Sequence, residues 1–205
     1  MKFPFFASFI VFIIWLAYEI RKHNRINKKT QDSFWEKEAL ANSVRKKSLE
    51  NLSYITIPIA SLPMNLMAED EIMKDIYKTI SILKDQKIVN FTGYSNTELK
   101  LQYGAPNITA LTEYDQNYTL LARTLQKWAE LLYKNSYINE SKSVLEFAVS
   151  THTDVSKTYK LLADIYFSEG DFNGIKRLTD TASTLNSVMK NAIVRTLKES
   201  YLYND

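Results

Sequence analysis

The sequence predicts an all-α protein, with an N-terminal transmembrane helix followed by a compact helical-repeat domain of two repeats plus capping helices. Three observations predict it. The 205-residue chain holds only four glycines and four prolines, few enough for long helices joined by short connections. Its N-terminus carries an uncharged apolar run, and eight positions in its last third recur at an offset of thirty-four residues. Leu125, Trp128, Ala129 and Leu132 map onto Tyr159, Leu162, Ala163 and Tyr166. Ile138, Ser141, Leu145 and Ala148 map onto Phe172, Ile175, Thr179 and Ala182. Six of the eight pairs keep an apolar or small character, while Ser141/Ile175 and Leu145/Thr179 do not. The length suits one domain with a core plus an appendage. The absence of cysteine removes disulfides and thiolate metal sites and fits a reducing compartment.

Residues 1–29 read as a membrane anchor with a basic juxtamembrane run. Phe3 to Tyr18 is free of charge, and Phe3 to Ile20 contains only Glu19. Eighteen helical residues span about 27 Å, near the minimum for a bilayer core. Trp15 and Tyr18 fall where amphipathic rings meet headgroups. Glu19-Ile20-Arg21-Lys22 follows the run in place of a small-x-small cleavage site, which argues for an uncleaved segment. Arg21, Lys22, Arg25, Lys28 and Lys29 outweigh Lys2 on the other flank, so the following domain is expected to face the cytoplasm from the cell membrane as a single-pass protein. The same five side chains would meet anionic headgroups. Six of the 26 basic and one of the 23 acidic residues lie in 1–29, leaving 20 basic and 22 acidic elsewhere. The net +3 therefore belongs to the anchor, and nothing in the rest suggests nucleic acid as a partner.

Residues 30–63 read as an amphipathic helix and an extended linker. Ser33 and Glu36 have capping-box spacing, and Phe34, Leu40, Ala41 and Val44 can share a face. Tyr54 to Ile59 alternates like a strand, but Pro58 and Pro63 deny ladder donors, so the segment is expected to lie extended over the helices. Residues 64–205 form the helical domain. A helix from about Asn65 to Lys87 carries the stripe Ile72, Ile76, Ile80 and Leu83, with Glu69, Asp70 and Glu71 in its early turns. Gly93 marks a turn, Ser95 and Glu98 open a short helix, and Gly104 and Pro106 close it. Thr112 with Asp115 offers a further cap.

In the first repeat, Leu121, Leu125, Trp128 and Leu132 make one apolar stripe, and Val144, Leu145, Ala148 and Val149 make its partner. In the second, Tyr159, Leu162, Ala163 and Tyr166 face Ile175, Leu178, Ala182 and Leu185. Asn135 and Gly170 suit the inter-helix turns, and Asp154 suits a helix cap. A last helix over 187–203 can close the array with Ile193, Val194, Leu197 and Tyr201 while Lys190, Arg195 and Lys198 stay wet.

On these residues, 122–155 and 156–189 resemble two tetratricopeptide repeats. The better copy is Tyr159-x-x-Leu162-Ala163-x-x-Tyr166-x-x-x-Gly170-Asp171-Phe172. Ser141 departs from the usual alanine, Thr179 from the usual aromatic, and neither copy ends in proline. The likeness covers about a third of the chain. The whole arrangement also resembles uncharacterised membrane-anchored bacterial proteins with a C-terminal repeat domain. Such repeats build binding surfaces and seldom catalytic sites. The resemblance implies a concave face from the first helix of each pair, carrying Arg123, Gln126, Glu130 and Tyr133, then Lys157, Lys160, Asp164 and Phe167. Asp164 stands where asparagine is usual in repeats that grip a terminal carboxylate, so that specificity is not implied.

Catalysis finds little to build on. The histidines are His23 and His152, and no phosphate loop, nucleophile elbow or zinc-helix motif occurs. The expectation is therefore no enzyme, no cofactor and no metal, but a membrane-tethered scaffold or adaptor for a protein or peptide. The alternative is a structural subunit of a membrane complex, acting through self-association or the anchor with the groove idle.

Overall fold

A chain poor in glycine and proline and striped with apolar residues forms helices almost throughout. The computed structural model describes residues 4–202, and among them there is no strand. The helices are α1 (Pro4–Ser43), α2 (Glu71–Leu83), α3 (Asn96–Tyr103), α4 (Ile108–Lys134), α5 (Ile138–Ser150), α6 (Ser156–Ser168), α7 (Phe172–Ser183) and α8 (Lys190–Leu197). A π-helical turn, Lys198–Leu202, continues α8. Contacts divide the chain into two units. One joins the residues up to Lys47 with Asn96–Asn107, and the other joins Ser48–Ser95 with the residues from Ile108 onward.

The first unit is stitched by polar groups. Helix α1 runs without a break across residues 29 and 30, where the sequence suggests a boundary. Ser33 does not cap a new helix, because its hydroxyl donates back to the Thr30 carbonyl (2.8 Å), a bond available inside a continuous helix. Ala41 is buried and α1 packs on α3. Glu38 forms an ion pair with Lys100 and accepts from the Thr97 hydroxyl (2.7 Å). The Lys47 ammonium donates to the Leu101 and Gln102 carbonyls (3.1 and 3.0 Å), placing a cation on the exposed C-terminal carbonyls of α3. Asn107 donates to the carbonyls of Lys47 and Tyr103, both at 2.8 Å. Gly104 ends α3 with φ +94°, and the Arg45 carbonyl oxygen lies 2.1 Å from where a Cβ would sit. Only glycine fits both conditions.

The N-terminal transmembrane expectation gains no support from the fold. Among the described residues no helix is long and apolar enough to cross a membrane. The anticipated span starts at Phe3, which lies outside the described residues, as do the side chains of residues 4–7. Thirteen residues remain between Ala7 and Arg21, about 20 Å of helix against the roughly 30 Å of a hydrocarbon core. Their apolar side chains are nonetheless open, from Phe9 to Ile20. Arg21, Lys22, Arg25 and Lys28 are exposed beyond them, while the Lys29 side chain lies outside the description.

The second unit is a stack of successive helices, α4 on α5, α5 on α6, α6 on α7 and α7 on α8, with α2 against α4. Its core joins Leu125, Trp128 and Leu132 to Leu145, Leu162, Ile175 and Leu197. The Tyr77 ring of α2 meets Trp128 edge-on at 5.6 Å. Helix α2 starts at Glu71 and not near Asn65, because the Asp70 side chain accepts from Met73 N (2.9 Å) and caps it. Met73, Ile76, Ile80 and Leu83 lie inside and Ile72 lies outside. Residues 54–58 are extended and unpaired as a strand, with Ile55 N donating to Ile88 O (2.9 Å).

Seven of the eight pairs at the thirty-four-residue offset are buried in both members, Ile138/Phe172 being the exception. The polar departures are satisfied inside. The Ser141 hydroxyl donates to the Ala129 carbonyl (2.9 Å), and Thr179 donates to Ile175 O (2.8 Å). Other details differ from the sequence reading. Helix α4 has 27 residues against 13 in α6, so Thr112 lies inside it and back-bonds to Ile108 O. Ser136, not Asn135, takes the left-handed turn (φ +66°). Asp154 accepts from Ser187 (2.6 Å) and does not cap α6, whose N-cap Val155 has no side-chain bond.

Candidate functional site

Residues four apart on a helix share a face, which puts Gln126, Glu130 and Lys134 in one row on α4. Lys157, Lys160 or Leu161, and Asp164 make the facing row on α6. Together with Tyr133 these residues line a groove of about 390 Å³. Six of the eight residues anticipated for a concave face are thus brought together, and Arg123 and Phe167 are not among them. Arg123 is exposed one turn earlier on α4. Phe167 turns into an aromatic cluster, with ring centroids 5.9 Å from both Phe172 and Tyr201.

Internal bonds decide which groups remain free for a ligand. Gln126 is nearly buried; its Oε1 accepts from the Thr158 hydroxyl (2.6 Å) and its Nε2 donates to Glu130 Oε1 (2.8 Å). It ties α4 to α6 and is a structural clamp more than a contact residue. Asp164 accepts from the Tyr201 hydroxyl. Burial, then the bond to Asp164, pushes the Tyr201 phenol above its ordinary range, so Tyr201 stays a donor at neutral pH. Lys134, Lys157 and Lys160 form no ion pair among the described residues. Both carboxylates of the groove therefore have neutral internal donors, whereas its three ammoniums look outward. Tyr133 and Leu161 add half-open apolar surface.

Sequence reasoning missed Lys134 and Leu161, although helical spacing from Glu130 and Lys157 marks both. It also missed Tyr201 and Thr158 as partners, which spacing within a single helix does not reveal. No group of three or more His, Cys, Asp or Glu side chains that could hold a metal occurs among the described residues. His152 is exposed in a turn, and His23 is exposed on α1. Comparison with protein-family models, curated proteins and solved structures finds no match.

Proposed function

We propose that the protein is a membrane-tethered scaffold that holds a protein or peptide segment in the α4–α6 groove, the two helix pairs acting as tetratricopeptide-like repeats. The observation that carries this reading is the groove's charge arrangement. Three unpaired lysines and a partly open tyrosine face outward across a surface whose backbone is already fixed by the Gln126–Thr158 clamp. A pre-formed surface of this kind loses little conformational entropy on binding. Exposed apolar side chains from Phe9 to Ile20, with a basic rim after them, support the tether. An apolar helix left in water carries a continuing hydrophobic cost, which lipid removes. On this reading the sequence upstream of Ser8 completes the span and the domain faces the cytoplasm.

A photo-crosslinking side chain placed at Tyr133 in cells tests the groove. The expected result is an adduct of discrete mass that disappears in the Lys157→Glu, Lys160→Glu double variant. Adducts from a probe at Phe34, with none at Tyr133, would replace the scaffold by the second reading. That reading is a structural subunit of a membrane complex that associates through α1, and the exposure of Phe34, Trp35 and Leu40 (52, 59 and 61%) favours it. A reporter fused after Asp205 tests topology. Activity in the cytoplasm is expected, and activity only outside overturns the orientation.

A further inference from the structure

A second cavity, of about 470 Å³, opens at the turns of the helical stack and shares no residue with the groove. Its wall comes from the extended segment at Tyr54, the Asn90–Tyr94 turn, the α5–α6 turn at His152 and the α7–α8 turn at Asn186. Charged residues make up 24% of the chain, yet no Lys, Arg, Asp or Glu lines this cavity. An ionic ligand would give up water there with no Lys, Arg, Asp or Glu in the wall itself to meet its charge. The chemistry of the wall selects for neutral molecules.

The rim is held in place by its own bonds. Asn90 Nδ2 donates to the carbonyls of Thr151 and His152, both at 3.0 Å, and Asn90 Oδ1 accepts from Thr92 N (2.8 Å). Gly93 has φ +85°, and the Asn186 carbonyl oxygen lies 2.1 Å from where its Cβ would be. His152 sits at φ +56°, a conformation costly for a side-chain-bearing residue and one that persists where the surroundings fix it. The frame presents a mostly apolar wall with unspent polar groups set in it. The hydroxyls of Ser53, Thr92 and Tyr94, the Asn186 Oδ1 and the His152 ring have no hydrogen-bond partner among the described residues. Hydroxyls both donate and accept. Beside them Ile55, Leu185 and the exposed Tyr94 ring supply apolar surface.

We propose that this cavity is a binding site for an uncharged saccharide of one or two rings. A sugar offers alternating donors and acceptors to the rim and an apolar C–H face to the Tyr94 ring. A purely apolar ligand would strand the polar groups without partners. The volume lies within the range of small-ligand pockets, about 300–1,000 Å³.

The test is saturation-transfer NMR on the full chain, in a detergent without a sugar headgroup. The panel holds glucose, galactose, mannose, N-acetylglucosamine, their disaccharides and the corresponding sugar phosphates. At least one neutral sugar is expected to bind about tenfold more tightly than its phosphate, and Thr92→Val and Tyr94→Ala each to weaken it about tenfold. Tyr94→Phe keeps the ring and is expected to bind more tightly than Tyr94→Ala, which separates loss of the site from loss of the fold. Lys160→Glu, in the separate groove, is expected to leave sugar binding unchanged. No transfer from any neutral sugar at about 20 mM, equal binding of phosphates, or binding that persists in both Thr92→Val and Tyr94→Ala would overturn the proposal.

Discussion

Helices α4 and α1 have 27 and 40 residues, and the fold treats them in opposite ways. Helix α4 buries ten of its side chains, whereas the described side chains of α1 include a single buried one, Ala41. Packing accounts for α4: its apolar stripe is the centre of the core, and removing any large member opens a cavity. Helix α1 has no such stripe in contact along most of its length. Its fixed end depends on hydrogen bonds and an ion pair around residues 38–47, and its apolar side chains from Phe9 to Ile20 are exposed. Helix length by itself thus says little about what maintains a helix.

The sharpest way to break this contrast is to cut one tryptophan from each helix. Trp128→Ala is expected to cost about 3–5 kcal/mol, as for other buried aromatics, and Trp35→Ala no more than about 0.5 kcal/mol as an exposed change, both read from urea unfolding. A comparable loss from Trp35 would mean that the packing of α1 extends to Trp35. Next in size is a glycine pair. Gly104→Ala meets both a left-handed backbone and the Arg45 carbonyl, while Gly170 has φ +73° with open space around it. Alanine at 104 is expected to cost about 2–3 kcal/mol and at 170 about 1–2 kcal/mol. Hydrogen exchange should show the first loss in α3 and the second around the α6–α7 turn.

Smaller again is the serine comparison within α5. Ser141→Ala removes a buried bond to Ala129 O and is expected to cost about 1–2 kcal/mol. Ser143→Ala removes an exposed bond to Asn139 O and should fall within about 0.5 kcal/mol, both by thermal unfolding. The smallest effect is a pH effect on the first unit. Hydrogen bonds from Lys100 and then Thr97 hold the Glu38 carboxyl below its ordinary value of 4.5. A depressed carboxyl favours the folded state at pH above 4.5 and loses that contribution as the pH falls through the lower folded value. Exchange protection of α3, corrected for intrinsic rate, should fall below pH 4.5 in the native chain and be flat there in Glu38→Gln.

The all-helical class was legible because glycine scarcity and period are global signals that no single residue can spoil. The internal stripes of α4 to α7 were legible for the same reason, down to Ala129 and Ala163. What escaped depended on choices between equivalent local partners. Ser33 has the spacing of a cap, but a serine inside a helix can bond backwards equally well, and continuity of α1 decides for Thr30. Ile72 and Met73 are neighbours on a helix and each continues an apolar row with Ile76 and Ile80, and packing against α4 decides that Met73 turns inward. In the groove, α4 and α6 residues followed from periodicity. Gln126 lines the groove as its spacing predicts, but its amide is also engaged by Thr158, thirty-two residues away. Asp154 has the position of a cap but serves Ser187, thirty-three residues on. Pairings across that distance leave no mark on spacing.

The stitch between Val44–Lys47 and Tyr103–Asn107 also sets an order in time. Lys47 and its acceptor Tyr103 O are separated by 56 residues of chain. At about 5–20 residues per second, the end of α1 leaves the ribosome some 3–11 seconds before the segment that fastens it. Through that interval Lys47 has no α3 to cap and Glu38 no Lys100. Closing so long a loop carries an entropy cost of about 3–4 kcal/mol. The first unit is therefore completed late, after the intervening chain has been made, although most of its residues precede that chain.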